Sequence, residues 1–144
     1  MDFDYSVTTE QRFALRTWLE QLVEAINSND RERCADFFDP YLLVEGFNEQ
    51  PLNKEQYLTW LEERKNDKTV HVMRLPQLKI KLKGKLYRLN GTYEEFIDGI
   101  LSYEGTMEMI VTSADDGFKL ASMIFFPRLR VAPNENNETA ELQN

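Results

Sequence analysis

Leu78-Lys79-Ile80-Lys81-Leu82-Lys83-Gly84-Lys85-Leu86-Tyr87-Arg88-Leu89-Asn90-Gly91-Thr92-Tyr93 carries an apolar/polar alternation of period two that breaks at Lys83-Gly84-Lys85. Successive side chains of a strand point to opposite faces, so this period marks strands with one buried side, and the stretch predicts a hairpin. Outward from it, the same period covers Thr69 to Lys83, Leu86 to Ile97, Ile100 to Ser113 and Phe118 to Val131. Asp98-Gly99 and Asp115-Asp116-Gly117 supply turn chemistry between them. The second half is therefore expected to be an antiparallel meander. Pro76 cannot donate to a ladder, which predicts a bulge or an edge position in the first of these strands. Lys79, Lys81, Lys83 and Lys85 make one face of that strand basic. The expectation is a solvated face paired across strands with Glu94 or Glu108, or a guard against edge-to-edge association, with an anionic-ligand patch as the lesser reading.

Upstream the period lengthens. Phe13, Leu15, Leu19, Leu22, Val23 and Ile26 fall largely on one helical stripe between Thr8 and Ser28. Thr8 with Gln11 three residues on predicts a capping box, and Asn27-Ser28-Asn29-Asp30 predicts the stop. A short helix is expected over Arg31 to Phe38, ended by Asp39-Pro40, because proline disfavours helical geometry at the residue before it. Tyr41 to Phe47 then reads as a strand. Asn53 and Gln56 predict a second capping box, opening a helix from Lys54 to Lys65 with Tyr57, Leu58, Trp60 and Leu61 on its apolar side. Residues 1–7 are expected to be an N-terminal arm, 8–131 one domain, and 132–144, which are polar, acidic and unpatterned, a disordered tail.

Composition bounds the function. The 144 residues are 42% hydrophobic and 12% aromatic, enough for one domain with a real core. A formal charge of −8 argues against nucleic acid, whose binding draws on clustered Lys and Arg. No basic leader with an apolar core and no long apolar run is present, so no membrane association and a cytoplasmic location are expected. Cys34 is the lone cysteine and reads as a small buried hydrophobe. His71 is the lone histidine and has no partner ligand in sequence, so neither a metal nor another cofactor is expected. No nucleophile elbow, phosphate loop or His-Glu-x-x-His occurs.

The order helix, helix, strand, helix and four antiparallel strands resembles the nuclear transport factor 2-like superfamily. The likeness rests on Phe37-Phe38-Asp39-Pro40 running into Tyr41-Leu42-Leu43-Val44, on the hairpin 78–93 with its small residue Gly91, and on Gly117-Phe118-Lys119-Leu120-Ala121-Ser122. The hairpin resembles that of SnoaL-like members, and the last segment is similar to the Gly-Trp-Lys-Ile that opens their final strand. The resemblance implies an α+β fold, with three N-terminal helices packed on a strongly curved, mainly antiparallel sheet around a cone-shaped cavity. It also implies that any site lies in that cavity.

Candidate site residues follow. The resemblance to ketosteroid isomerases and polyketide cyclases implies a carboxylate base near the end of the first strand, where Glu45 stands; the residue by itself reads first as a solvent-facing acid, or else as a structural hydrogen-bond acceptor. The isomerase pattern also wants a tyrosine on the first helix, which here has Phe13 and Trp18 instead. His71 is a candidate general base if it faces the cavity, and otherwise a hydrogen-bonded sheet residue. Tyr41, Tyr57, Trp60, Tyr87, Tyr93 and Tyr103 are candidate apolar walls with polar tips, or ordinary core. Tyr93 and Glu95 share a strand face and would present a hydroxyl beside a carboxylate. The final strand shows Phe118, Leu120, Ile124 and Phe126 on one face and Ala121, Met123 and Phe125 on the other. A strand apolar on both faces must be covered on both, which predicts a homodimer through the outer face of the sheet. Two functions stand: a binding protein for a small apolar or aromatic molecule, or an isomerase, cyclase or dehydratase using Glu45. The second requires Glu45 inside the cavity, within reach of another titratable group.

Overall fold

In the computed structural model, which describes residues 7–46, 49–115 and 117–130, the Thr8 hydroxyl accepts the Gln11 backbone N–H at 3.0 Å. The Gln11 side chain accepts the Thr8 N–H at 2.8 Å, completing the capping box that opens α1 (Thr9–Ser28). Leu15, Leu19, Leu22, Ala25 and Ile26 form the buried stripe of α1, and Asn29 in the left-handed region ends it. Asn29 is followed by Asp30, which caps the five-residue α2 (Arg31–Ala35). The expected helix to Phe38 is thus cut short. Phe38 instead begins β1 (Phe38–Glu45), because it pairs with Leu120 on a distant strand and Leu120 N–H donates to Phe37 O at 2.8 Å. Tertiary pairing overrides the helical reading of Asp36 to Phe38. A two-residue strand that the sequence did not suggest, β2 (Leu52–Asn53), precedes the capping box of α3 (Lys54–Lys65).

The meander forms as expected: β3 (His71–Lys83), β4 (Leu86–Ile97), β5 (Ile100–Ala114) and β6 (Gly117–Arg130) pair antiparallel in succession. The sheet order is β2-β1-β6-β5-β4-β3, with β1 parallel to β6, so the α+β fold carries a six-stranded mixed sheet. Pro76 meets both halves of its expectation, since β3 is an edge strand and its register shifts between Arg74 and Gln77. The amide of Asn27 on α1 covers that edge like a strand partner: it donates to Met73 O at 3.0 Å and accepts the Met73 N–H at 2.8 Å. This ties α1 to the start of β3.

One face of the sheet packs against the helices through Met73, Leu89, Met107, Met109, Met123 and Phe125, which are buried with the α1 stripe. The reading of β6 needs correction. Leu120 and Met123 are both buried although their positions differ in parity, because the register shifts between Ile110 and Val111, where Ser122 and Leu120 stand opposite. A bulge adds one residue and exchanges the faces. Met123 and Phe125 therefore face the core, while Phe126 is 54% exposed. Of the basic stripe, Lys79, Lys81 and Lys83 are exposed, and Glu108 pairs with Arg88. The expected arm and tail lie outside the described residues except for Val7, which is buried in the core. Among the described residues no helix is long and apolar enough to cross a membrane.

Cys34 is fully buried, and that burial, with Asp30 nearby, pushes its thiol from 9.0 to about 12. The native protein should therefore resist iodoacetamide at pH 8 and react only when unfolded; rapid native alkylation, read by mass, would contradict this burial. Tyr93 is likewise raised from 10.0 to about 12, chiefly by burial and then by Glu95. Both groups ionise earlier in the unfolded chain. Their contribution is full below pH 9 and is lost as pH rises toward 12, so urea midpoints should fall across that window.

Candidate functional site

Alternation along β4 sends Tyr93 and Glu95 to the helix-facing side of the sheet, and the register sets Glu95 opposite Met73, two residues from His71 on β3. On α3, Trp60 and Arg64 are four residues apart and share a face. These elements enclose a cavity of about 250 Å³ lined by Trp60, His71, Tyr93, Glu95 and Tyr103, with Gly46, Ile97 and Pro127 completing it. Glu95 Oε2 is the node. It accepts from Arg64 Nη1 at 3.4 Å and from His71 Nδ1 at 3.2 Å, with side chains only 8%, 12% and 16% exposed for Arg64, Glu95 and His71.

An ionised carboxylate only accepts, so the His71 Nδ1 carries the proton it shares with Glu95. Nε2 lies within hydrogen-bond distance of the Thr69 hydroxyl, at 2.9 Å. Both ring nitrogens are engaged inside the protein. Arg64 is held as fully: Nε donates to Asn29 Oδ1 at 2.8 Å, Nη2 to Ile26 O at 3.5 Å, and the guanidinium lies 4.8 Å from the Trp60 ring centroid. Desolvation lowers its pKa from the ordinary 12.5, opposed by Tyr57 and Glu95. The left-handed Asn29 that ends α1 is thus also the anchor of the site's cation.

The structure sorts the candidates. His71, Trp60, Tyr93, Glu95 and Tyr103 come together at the cavity. Tyr57 does not line it: it is fully buried behind the wall, stacked on Trp60 at 5.7 Å and against Phe38 at 5.6 Å, and burial raises its phenol pKa. Tyr41 is 91% exposed on β1. Tyr87 packs edge-on to Phe118 in the core. Glu45 stands opposite Ile124, whereas its inward neighbour Val44 stands opposite buried Met123, so Glu45 leaves from the outer side of the sheet and does not line the cavity. Arg64, Thr69 and Asn29 are polar members that periodicity alone passed over. One signal was present, for Arg64 continues the stripe Tyr57, Trp60, Leu61 at helical spacing, a charge on a buried face.

A larger, open groove of about 710 Å³ lies between α1 and β3, lined by Leu19, Val23, Leu75 and Leu78 with Arg16 and Arg74 also along it. Among the described residues, no network of buried polar groups converges there as it does on Glu95. Among the described residues no cluster of three or more His, Cys, Asp or Glu could hold a metal ion.

Solved structures decide the fold. A proposed dehydratase of the NTF2-like family from Streptomyces avermitilis is 14% identical, covering 85% of this chain and 99% of its own, with a TM-score of 0.73. The chain has the NTF2-like fold. A domain of unknown function with a cystatin-like fold from Nostoc punctiforme is 16% identical over 86% of this chain and 81% of its own, TM-score 0.66. A proposed aromatic ring hydroxylase from Novosphingobium aromaticivorans is 11% identical over 87% and 94%, TM-score 0.72. No family model and no curated protein matches the sequence. At these identities the NTF2-like likeness extends to the fold alone.

Proposed function

We propose that this NTF2-like chain binds a small, largely apolar or aromatic molecule in the cavity between α3 and the helix-facing side of a cone-shaped sheet. The observation that carries the reading is Glu95, hydrogen-bonded to His71 and Arg64 at one side of a cavity whose other walls are Trp60, Tyr93 and Tyr103. An apolar enclosure with a few convergent polar groups is the usual form of a ligand site. Binding is favoured over catalysis because Glu45, the base that the isomerase reading requires, does not line the cavity. Two neighbours are a proposed dehydratase and a proposed aromatic ring hydroxylase, names that suit a small-molecule pocket without supplying a mechanism here.

The reading includes a homodimer through the outer face of the sheet, where Leu43 and Phe126 are exposed. Native mass spectrometry tests both parts. The expected result is a dimer retaining a small organic molecule, and a Phe126→Glu variant that is monomeric. A bare chain whose Trp60 emission no aromatic fragment alters, measured in a Trp18→Phe background, would remove the binding reading.

A further inference from the structure

Resting on that pocket reading, we infer that the ligand class is a neutral single aromatic unit bearing a hydrogen-bond donor, a phenol or an indole, and not an aromatic ion. Size comes first. A dry cavity of about 150 Å³ accepts benzene, and drug-sized sites begin at about 300 Å³. At about 250 Å³ this cavity admits one ring with a substituent, or a small bicycle.

Charge comes second. The buried charges of Arg64 and Glu95 face each other and cancel. An anionic ligand needs a cation, yet Arg64 is not among the residues that line the cavity, and each of its nitrogens already donates inside the protein, to Asn29, Ile26 or Glu95. A benzoate would be desolvated without a counter-ion and would face the Glu95 carboxylate. A cationic ligand fares no better. The Trp60 ring, the strongest cation-binding surface in the wall, already carries the Arg64 guanidinium, and an incoming ammonium would be repelled by it.

Donor chemistry comes third. Glu95 can only accept, and a carboxylate offers about four acceptor sites. Arg64 and His71 take two, both at Oε2. The tyrosine hydroxyl at Tyr93 stays protonated to about 12, so it does not add a second anion. A neutral O–H or N–H directed at Glu95 matches this arrangement without bringing a charge that needs neutralising. An aromatic ring lacking a donor leaves the carboxylate unmatched.

The test uses the wild-type protein and five probes of similar size: phenol, indole, anisole, benzoate and benzylamine in its ammonium form at pH 7. Affinities are read from amide shifts of Gly46, Tyr93 and Glu95 in nitrogen-resolved NMR spectra. Phenol and indole are expected to bind at least about ten-fold more tightly than the other three, since a site built to pair a donor rejects analogues lacking it. Benzoate, benzylamine or anisole binding as tightly as phenol at those amides would overturn the donor class and leave the pocket reading standing. Shifts at none of those amides with any probe would overturn both.

Discussion

Glu95→Ala is expected to lower the unfolding free energy by about 3 to 5 kcal/mol, the range found when one partner of a buried ion pair is removed. Arg64 would remain where it is, 8% exposed and held by Asn29 and the Ile26 carbonyl, but without its carboxylate. His71 would lose the acceptor that holds its Nδ1 proton. The contrast is with the surface pair Arg33 and Glu24, 43% and 71% exposed, where Glu24→Ala should cost under about 1 kcal/mol. Replacing both partners, Arg64→Met with Glu95→Leu, should recover much of the loss, because the cost lies in the uncompensated charge. Urea denaturation of the wild type, Arg64→Met, Glu95→Leu and the double variant closes a double-mutant cycle. A Glu95→Ala loss below about 1 kcal/mol would mean that water reaches the pair, and the charge argument for a neutral ligand would weaken with it.

Gly91→Ala should cost about 3 kcal/mol, at the upper end of overpacking effects. A Cβ at Gly91 would stand 1.8 Å from the Gln77 carbonyl oxygen and 2.8 Å from Leu78 Cδ2. The first contact is with backbone, so no rotamer change relieves it. The cause is the shift around Leu75 and Pro76, which presses β3 onto β4 at this point. Gly84 is the control: its φ of +65° strains an alanine, but nothing lies within 4 Å, and the cost there should be near 1 kcal/mol. Because His71 reaches Glu95 from β3, prying the strands apart at Gly91 should also disturb the site, visible as a changed His71 ring resonance. Equal thermal midpoints for the two alanine variants would contradict the close approach.

Local physics made much of the fold legible. Thr8 with Gln11 and Asn53 with Gln56 form the boxes that their spacing predicts, since capping is settled within four residues. The β3 to β6 hairpins follow from period-two alternation and from turns such as Asp98-Gly99, which joins Ile97 directly to Ile100. The site was legible in part. Parity alone grouped Tyr93 with Glu95, His71 stood out as the lone histidine, and Trp60 and Tyr103 were among the candidate aromatic walls. For Glu45 the choice between a solvent-facing acid and a cavity base stayed open in the sequence, as did that between wall and core for Tyr41, because the face a β1 residue takes depends on its pairing with β6.

By itself, then, the sequence determined the capping boxes, the antiparallel meander and the bulge at Pro76, all consequences of interactions between residues close along the chain. Only the tertiary structure decided the parallel β1–β6 pairing, the exchange of faces within β6, and the meeting of Arg64, His71 and Glu95. The physical reason is the same for each: a parallel pair has no turn to set its register, a bulge reverses every parity beyond it, and a buried charge finds its counter-charge by packing rather than by spacing.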